Sequence, residues 1–344
     1  MLRVGIIGCG KITQVRHLPE YAQNPDARVT ALFDLNTQRA AELAAQYGAA
    51  VYPSYQAMLD DPAIDAVSVC TANDTHAEIT LAALAKGKHV LCEKPMATTR
   101  ADCERMADMA RQTGKTLMIG QNQRLAGAHV KARALIAAGE IGTPITFRTS
   151  FRHGGPETWS IDPGAGTWFF DRKRAVMGAM ADLGIHKTDL IQYLLGQTVV
   201  ETKATLTTLD KRLADGSLIG VDDNAICIYT MSGGAIGTMT ASWTDYGPED
   251  NATVIWGTRG VLKIYEDPAH ALVLHRVGGA VETFDVEEIQ TNDKQTKSGV
   301  IDLFVDMVAG KAEGITADSV VTAMRAVFGS IESSETGMAV KVNG

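Results

Sequence analysis

The sequence predicts an α/β protein in which a doubly wound parallel sheet is followed by an α+β domain built on an antiparallel sheet. Its 344 residues exceed what one ordinary core accommodates and fall short of three domains. Strand-like and helix-like segments alternate as far as residue 120, whereas beyond residue 124 long strands follow one another with few helices. We therefore expect one domain over residues 1–124 and a second over residues 125–344.

The predicted N-terminal strands are apolar on both faces, and amphipathic helices separate them. In chain order the strands are RVGII, VTALFD, AVSVCT, HVLCE and TLMIG, and the intervening helices include TQRAAELAAQYG, THAEITLAALAKG and RADCERMADMARQTG. Such runs are typical of a parallel sheet that carries helices on both faces. The first domain is therefore predicted to be doubly wound.

The predicted C-terminal strands are connected differently. After the helix VKARALIAAGEIG, strands are expected at PITFRTSFRH, VVETKATLTTL, AICIYTM, AIGTMTASW, ATVIWG, GVLKIY and ALVLHRV. Turns such as MSGGA and GTRG join successive strands without a crossover helix, which predicts an antiparallel sheet. The chain is predicted to be helical again over residues 297–337, with apolar positions suited to packing on the first domain.

The composition and net charge of the chain indicate which classes of binding partner and cellular setting to expect. With 45% hydrophobic and 21% charged residues the chain has the composition of an ordinary globular protein, and we expect no membrane span. A net charge of −8 argues against nucleic acid or an anionic membrane as a partner, since both favour basic surfaces. Five dispersed cysteines without a CxxC pair favour reduced thiols in a cytoplasmic protein over disulfides or a metal site, with Cys9, Cys70 and Cys92 in the core.

The stretch GIIGCGKIT places two glycines directly after the first strand and at the start of a helix. Gly8 is expected to allow a tight turn, and Gly10 to let the backbone approach a pyrophosphate at the positive end of the helix. Thr13 stands where a third small residue is usual, a departure that a slightly wider helix–strand contact would tolerate. Asp34 ends the second strand, where its carboxylate would accept from ribose hydroxyls; the alternative is a surface Asp that caps the next helix. Its charge favours NAD over NADP, although Arg39 would tolerate some NADP.

Two polar clusters follow the strands AVSVCT and HVLCE. They are TANDTHAE, residues 71–78, and CEKP, residues 92–95. Ligands bind at the carboxyl ends of parallel strands, so both clusters are expected at the same edge of the sheet as the glycine loop. Lys94 is therefore a candidate for orienting a substrate oxygen. The alternative is a solvent-exposed loop ion pair with Glu93.

The segment GAMADLGIHKTDLIQYLLG, which begins at Gly178, has the periodicity of a helix. At about 100° per residue, Asp182, His186, Asp189 and Tyr193 form one stripe and the leucines lie opposite. Alone, this pattern is typical of a solvated polar face; the alternative is a working surface. In the second interpretation Asp182 and His186 act on ligands, whereas Asp189 anchors the helix or a neighbouring loop.

Two loops supply candidates for substrate recognition. FRHGGPETWS contains His153, Glu157 and Trp159, which combine hydrogen-bonding groups with an aromatic face of the kind that often holds polyols. A purely structural loop is the alternative for each of the three. TASWTDYGPED is a second candidate wall, through Trp243 and Tyr246.

Taken in order along the chain, several of these motifs form a recognisable set. GCGKI, the strand end at Asp34, TANDTH, EKP, QNQR and DLGIH followed by Asp189 resemble the Gfo/Idh/MocA family of sugar and inositol oxidoreductases over nearly the whole chain. The resemblance implies an N-terminal Rossmann domain, a tightly held nicotinamide cofactor, and a C-terminal α+β domain whose open antiparallel sheet mediates formation of a homodimer or homotetramer. Two departures, Ala72 in place of proline and the run 176–178 in place of three glycines, affect loop shape and hence substrate identity.

The resemblance also implies roles for individual residues. Lys94 would hydrogen-bond the reacting oxygen, and Asp182 and His186 would be the carboxylate and imidazole of the family. Together with the residues chosen above, the cofactor-binding set is Gly8, Gly10, Lys11, Ile12, Asp34, Arg39, Thr71, Asn73, His76, Glu93, Lys94, Asn122 and Trp168. The substrate-binding set is Lys94, Gln123, His153, Trp159, Asp182 and His186.

These residues suit the oxidation of a secondary alcohol. An imidazole, His186, accepts the hydroxyl proton at neutral pH, Asp182 orients it, and Lys94 stabilises a developing alkoxide. The sequence thus predicts an NAD(P)-dependent oxidoreductase that moves a hydride between nicotinamide and an alcohol or ketone of a sugar, cyclitol or sugar derivative. Two alternatives remain open, namely an NAD-requiring glycosidase that acts by transient oxidation and elimination, and a non-catalytic NAD-sensing regulator.

Overall fold

The chain folds as two units in a computed structural model that describes residues 1–286 and 297–342. The first unit comprises Met1–Gln121 and Gln295–Val321, and the second comprises Asn122–Lys294 and Thr322–Gly344. The first division thus falls after Gln121, where the sequence analysis expects a boundary after residue 124. Within the described ranges, no helix combines the length and apolar character that a transmembrane span requires.

The first unit contains a six-stranded parallel sheet. Its strands are β1 (Leu2–Ile7), β2 (Ala27–Phe33), β3 (Ala50–Val51), β4 (Ala66–Val69), β5 (His89–Cys92) and β6 (Leu117–Ile119), in the spatial order β3-β2-β1-β4-β5-β6. This is the doubly wound order, in which ligands bind where the strand order reverses, beyond the carboxyl ends of β1 and β4. The predicted fold class of the N-terminal part is confirmed.

Helices connect these strands. They are α1 (Leu18–Gln23), α2 (Thr37–Tyr47), α3 (Tyr55–Asp60), α4 (His76–Ala85) and α5 (Arg100–Thr113). A five-residue π-helical turn over Thr13–His17, called here the first π turn, precedes α1. Side-chain caps at Ser54 and Thr99 begin α3 and α5, and Gly48 ends α2 in the left-handed conformation.

The described residues of the second unit form a sheet of nine strands. In chain order its elements are α6 (Gly127–Ala137), β7 (Pro144–Arg152), α7 (Pro156–Trp159), α8 (Ile185–Leu195), β8 (Val199–Thr207), β9 (Asn224–Met231), β10 (Ile236–Ser242), β11 (Thr253–Gly257), β12 (Gly260–Ile264), β13 (Leu272–Arg276) and β14 (Val281–Phe284). The chain continues with α9 (Val300–Val308), which belongs to the first unit, α10 (Ala317–Thr336) and β15 (Val340–Lys341). The strand order is β14-β13-β12-β11-β7-β10-β9-β8-β15.

This sheet differs from the prediction in one pairing. All neighbours are antiparallel except β7 and β10, which run parallel and pair Ile236 with Thr146 through Ser242 with Arg152. The reason is that a long, partly helical connection separates β7 from β8, so that β7 enters the centre of the sheet as a crossover strand. The sheet is therefore mixed and mostly antiparallel.

One face of the central strands is buried and the other is not. On β9, Cys227 and Tyr229 are fully buried, whereas Ile226 and Ile228 are about half exposed. On the buried face, β10 packs against a second five-residue π-helical turn over Met180–Gly184, called here the second π turn, which leads directly into α8. The sheet thus supports the segment that carries the predicted Asp182 and His186.

Candidate active site

The glycine loop after β1 has the geometry that the sequence predicts. Gly8 has a φ of 99°, and a Cβ added there would lie 2.4 Å from the carbonyl oxygen of Cys70. A Cβ added at Gly10 would meet nothing within 4 Å. Gly8 is therefore required by the tight turn, while Gly10 leaves open space beside the start of the helix, where Lys11 is exposed and Ile12 half-buried. This cradle fits a dinucleotide pyrophosphate.

Thr13 has a local role that the sequence did not indicate. Its Oγ1 donates a 2.6 Å hydrogen bond to the carbonyl oxygen of Gly8, and the side chain is fully buried. The same residue begins the first π turn. A π turn is wider than an α turn, which agrees with the expectation that the helix makes room for a residue larger than glycine.

Asp34 lies at the end of β2 and holds the glycine loop. Its Oδ2 accepts a 2.6 Å hydrogen bond from the amide of Cys9, and its Oδ1 accepts a 2.7 Å bond from the amide of Asn36. The cap of α2 is Asn36, which accepts from the amide of Arg39 at 3.0 Å, so the alternative of Asp34 as the helix cap is wrong. Asp34 and Arg39 are both half-buried.

Glu93 of the EKP motif is turned into the first unit. His17 Nε2 lies 2.9 Å from its Oε1, Arg16 lies 3.9 Å away, and the amide of Lys94 donates to its Oε2 at 3.2 Å. Burial alone would raise the pKa of Glu93, but the hydrogen bond and charge of His17, with Arg16 and Lys94, hold this pKa at about 2. Since Glu93 is buried, the alternative of a solvent-exposed ion pair with Lys94 is wrong; the Lys94 side chain is half-buried.

His76 links the two polar clusters. Its ring nitrogens lie 2.7 Å from the carbonyl oxygen of Pro95 and 3.1 Å from that of Thr71, and its side chain is 1% exposed. Burial lowers the pKa of His76. The histidine thus connects the loop after β4, which also holds the buried Asn73, to the loop that carries Lys94.

In the second unit, the predicted polar stripe is buried. Asp182 on the second π turn and His186 and Asp189 on α8 are 7%, 6% and 1% exposed, and Tyr193 is half-buried. The interpretation of this stripe as a solvated face is therefore wrong. Buried polar groups need partners, and the structure provides them for this segment.

Asp189 anchors α8, as predicted. Arg124 of the QNQR segment donates from Nε and Nη2 to the two carboxylate oxygens at 2.7 and 2.5 Å. The guanidinium also lies 5.6 Å from the ring centre of Tyr193, and Arg133 covers the same ring at 4.1 Å. This bidentate pair fixes the end of the 3₁₀ turn Asn122–Leu125 to α8.

Asp182 receives a hydrogen bond from the sheet side. Trp243 Nε1 donates to its Oδ2 at 3.1 Å, and Trp243 is fully buried, so its predicted role as a substrate wall is wrong. Tyr246, the other residue of that predicted wall, is exposed and donates to Asp210. A Cβ added at Gly184 would lie 2.5 Å from Met180 Sδ, so the second π turn is closely packed around this glycine.

Aromatic rings connect His186 to the predicted substrate loop. The ring of His186 lies 5.9 Å from that of Phe151, which lies 5.7 Å from His153, which in turn meets Trp159 edge-on at 6.0 Å. Trp168, half-buried, stacks on Phe169 at 4.0 Å, and Phe169 meets Trp159 at 5.1 Å. The structure therefore brings His153, Trp159, Trp168 and His186 into one cluster of the second unit.

Glu157 of the same loop forms an ion pair with Lys211. The Lys211 ammonium also donates to the carbonyl oxygen of Gly154 at 2.5 Å. The loop is thereby tied to the segment before β9. These contacts support the alternative in which Glu157 stabilises the loop rather than binding substrate.

A buried amide and ammonium network was missed by the sequence analysis. Gln123 Nε2 donates to Asn251 Oδ1 at 3.1 Å, and Lys187 Nζ donates to the carbonyl oxygen of Asn251 at 2.9 Å. Lys187 is fully buried, and this burial lowers its pKa to about 7 against the attraction of Asp250 and Glu249. The only indication of Lys187 in the sequence was its position directly after His186. The predicted cofactor residue Asn122, next to Gln123, is half-buried.

Comparison with known proteins gives consistent matches over both units. A family profile described as "Oxidoreductase family, NAD-binding Rossmann fold" matches residues 2–121, and one described as "GFO/IDH/MocA C-terminal domain" matches residues 129–263. Levoglucosan dehydrogenase of Pseudarthrobacter phenanthrenivorans is 30% identical over 289 residues, which span 76% of this chain and 73% of that protein. Myo-inositol 2-dehydrogenase of Thermotoga maritima is 28% identical over 268 residues, spanning 77% and 75%.

A solved structure extends the match to the whole chain. The crystal structure of an NAD-binding oxidoreductase from Klebsiella pneumoniae is 26% identical and superposes with a TM-score of 0.85 over 100% of this chain and 99% of that chain. The predicted fold class, the resemblance stated from the motifs, and NAD as the cofactor are confirmed by these matches.

Proposed function

The chain belongs to the Gfo/Idh/MocA family of NAD-binding oxidoreductases, and from this premise we propose that it oxidises a secondary alcohol of a neutral sugar, cyclitol or sugar derivative, or reduces the corresponding ketone. The observation that carries the proposal is that Asp182 and His186, one turn apart, are both buried. Polar residues on a solvated helix face would be exposed instead. Bound NAD supplies the hydride acceptor, and the protein supplies proton transfer and orientation.

Three side chains carry the chemistry in this proposal. His186 accepts the hydroxyl proton, and Asp182 orients the imidazole and stabilises its protonated form. Lys94 donates to the reacting oxygen and stabilises its negative charge. In the reverse direction His186 returns its proton to the carbonyl oxygen as it is reduced, while Lys94 keeps its hydrogen bond to that oxygen.

The first unit is proposed to hold the cofactor. Gly8 and Gly10 accommodate the pyrophosphate, and Asp34, already fixed by the amides of Cys9 and Asn36, accepts from the ribose hydroxyls. Because a carboxylate repels a 2′-phosphate, we propose NAD rather than NADP as the preferred form. Asp34→Ala should raise KM for NAD and lower the preference over NADP, and an unchanged preference would contradict this assignment.

A neutral polyol fits the second unit. Lys211 near the substrate loop is compensated by Glu157, and Arg124 is compensated by Asp189. The rings of His153 and Trp159 offer an apolar face next to hydrogen-bonding groups, an arrangement suited to a sugar ring. Two of the relatives are named for levoglucosan and myo-inositol, which are uncharged compounds of this kind.

The outer face of the large sheet is proposed to pair with a second copy. Ile226, Ile228 and Ile236 lie on adjacent strands and each is about half exposed, so they form an apolar patch on this face. A homodimer or homotetramer would cover them.

All five cysteines are free and buried, which supports a reducing compartment, and we propose the cytoplasm.

A spectrophotometric screen tests the function. Purified protein with NAD or NADP is mixed with myo-inositol, levoglucosan and a panel of alkyl glucosides, and NADH formation is followed by absorbance. We expect turnover with at least one polyol, its loss in His186→Asn, and its retention in the control His275→Asn. Release of free sugar from a glucoside without net NADH, or no turnover by protein that binds NAD, would contradict the proposal.

A further inference from the structure

We propose that Trp243 is a positioning residue for Asp182, whose carboxylate it holds in one orientation and in its ionised form. The proposal rests on the role given to Asp182 under the proposed function. Trp243 does not touch the substrate, since its side chain is fully buried. It would act only through the hydrogen bond from its indole nitrogen.

The contact itself is direct. Trp243 Nε1 lies 3.1 Å from Asp182 Oδ2, and Asp182 is 7% exposed. An indole nitrogen is a donor only, so it binds the negatively charged carboxylate more strongly than a neutral carboxyl, and it cannot accept from the O–H of the protonated form. Hydrogen bonds to charged groups are among the stronger ones, and they gain strength where water is excluded.

The indole is fixed by its surroundings. The Trp243 amide donates to the carbonyl oxygen of Asp223 at 2.8 Å, directly after the end of β10. Phe169 meets the ring edge-on at 6.4 Å, and Phe170 lies against it at 6.1 Å. A fully buried donor packed against two aromatic rings loses little further freedom when it binds the carboxylate.

The other partner is fixed by the same strand. A Cβ added at Gly184 would lie 2.5 Å from Met180 Sδ within the turn and 3.3 Å from Met239 on β10, so turn and strand are closely packed around this glycine. Asp222 accepts from the amides of Gly178 and Met180 at 2.8 and 2.7 Å and thereby holds the start of the turn. The distance between donor and acceptor is thus set by rigid elements rather than by a flexible loop.

The chemistry explains why this orientation matters. Asp182 is assigned to stabilise the imidazolium that forms when His186 accepts a proton, and this requires an ionised carboxylate. A hydrogen bond to the charged form favours that form. The other titratable groups on the surrounding segments remain in place when Trp243 is replaced; they are Asp222, Asp223, Cys227, Tyr229, His186 and Lys187.

Trp243→Phe removes the donor and keeps an aromatic ring. We expect kcat with a polyol substrate to fall about tenfold or more, with KM for NAD unchanged. We also expect the acid limb of the kcat profile to move to higher pH, which a loss of packing would not cause. The matched control is Tyr229→Phe, which removes the 2.9 Å contact between the Tyr229 hydroxyl and Thr188 Oγ1 beneath the same helix. This control should lower the melting temperature and leave the kcat profile unchanged.

A double-mutant cycle separates this inference from the proposed function. In an Asp182→Asn background, Trp243→Phe should have little further effect on kcat, because the ionised acceptor is already gone. Equal effects of Trp243→Phe in both backgrounds, or a Trp243→Phe enzyme with wild-type kcat and profile, would overturn the positioning role. Full activity of Asp182→Asn would instead overturn the proposed function.

An NMR measurement on folded protein does not depend on the stability of Trp243→Phe. The chain has four tryptophans and therefore four indole N–H resonances. In Asp182→Asn, we expect one of them to shift strongly while the other three stay near their wild-type positions. Four unmoved resonances would contradict the hydrogen bond and with it the proposal.

Discussion

The chain uses a π-helical turn in each of its units, at Thr13–His17 and at Met180–Gly184, and the two turns do different work. Both lie in segments to which the sequence analysis assigns ligand binding, and π turns are frequent in such segments. The first turn sends His17 inward to Glu93, which supports the EKP loop. The second turn carries Asp182, which we propose acts with His186 on the substrate.

The same π-helical backbone geometry therefore does not determine whether a segment stabilises a loop or takes part in catalysis. Around the first turn, buried charges stabilise the loop from which Lys94 projects. Around the second turn, the buried charge of Asp182 is proposed to support proton transfer by His186, and the neighbouring pair of Arg124 and Asp189 stabilises the fold. Substitutions should therefore affect turnover and stability in different proportions in the two regions.

The largest expected difference concerns two histidines. His186→Asn should lower kcat about 100- to 10,000-fold, because a general base is lost, with only a small change in melting temperature. His17→Asn should lower the melting temperature, because Glu93 loses its 2.9 Å partner, while retaining most of the turnover. Steady-state kinetics and thermal melts of both variants check this, and the comparison fails if His17→Asn loses as much activity as His186→Asn.

The next effect concerns the buried ion pair of the second unit. Asp189→Asn leaves the Arg124 guanidinium buried without its carboxylate, and we expect the second unit to lose about 3–5 kcal/mol of stability. Chemical denaturation followed by circular dichroism measures this loss. The exposed pair of Arg100 and Glu104 provides a control, since Glu104→Gln should change stability by less than about 0.5 kcal/mol.

The corresponding pair of the first unit should respond to pH. The folded pKa of Glu93, about 2, lies below its unfolded value, so its stabilising contribution is present above about pH 4.5 and is lost as pH falls toward 2. Glu93→Gln should therefore cost about 3 kcal/mol at pH 7 and progressively less below pH 4. Melts between pH 3 and 7 test this, and a cost that does not change with pH would contradict it.

A second pH-dependent effect, of similar size, concerns Lys187 in the second unit. Its folded pKa of about 7 lies below the unfolded value, so wild-type stability falls as pH decreases from about 10 to 7. In Lys187→Met this fall, about 3–4 kcal/mol over that range for a pKa lowered from 10.5 to about 7, should be absent. Melts of Lys187→Met and of the exposed control Lys131→Met measure the difference, and equal pH slopes in the two variants would show that Lys187 does not titrate in the folded protein.

The two regions also differ in how far the sequence predicts them. In the first unit the doubly wound parallel sheet, the tight turn at Gly8 and the open space at Gly10 were all predicted, because short motifs and the alternation of strands and helices indicate them. The hydrogen bond from Thr13 to the Gly8 carbonyl joins residues that are close in the chain. Because Thr13 stands where a small residue is usual, no known motif indicates this bond. His17, which contacts Glu93, lies 76 residues away in the chain, and no sequence pattern indicates this pairing.

In the second unit, periodicity identified the helix and its stripe but assigned the wrong environment. Periodicity separates polar from apolar faces, and it does not distinguish a solvated polar face from a buried one whose partners come from distant segments. Trp243 reaches Asp182 across 61 residues, and Lys187 reaches Asn251 across 64. The parallel pairing of β7 with β10 was not predicted for the same reason. It depends on a crossover connection between distant segments, which the patterns of single strands do not indicate.

The most direct test of the central claim follows the hydrogen atom. Perdeuterated myo-inositol and perdeuterated levoglucosan are each incubated with the enzyme and NAD, and the nicotinamide product is examined by mass spectrometry and proton NMR. The account predicts NADH that carries one deuterium on the nicotinamide ring, formed with at least one of these polyols and lost in His186→Asn. NADH without deuterium, or no NADH from protein shown to bind NAD, would contradict it.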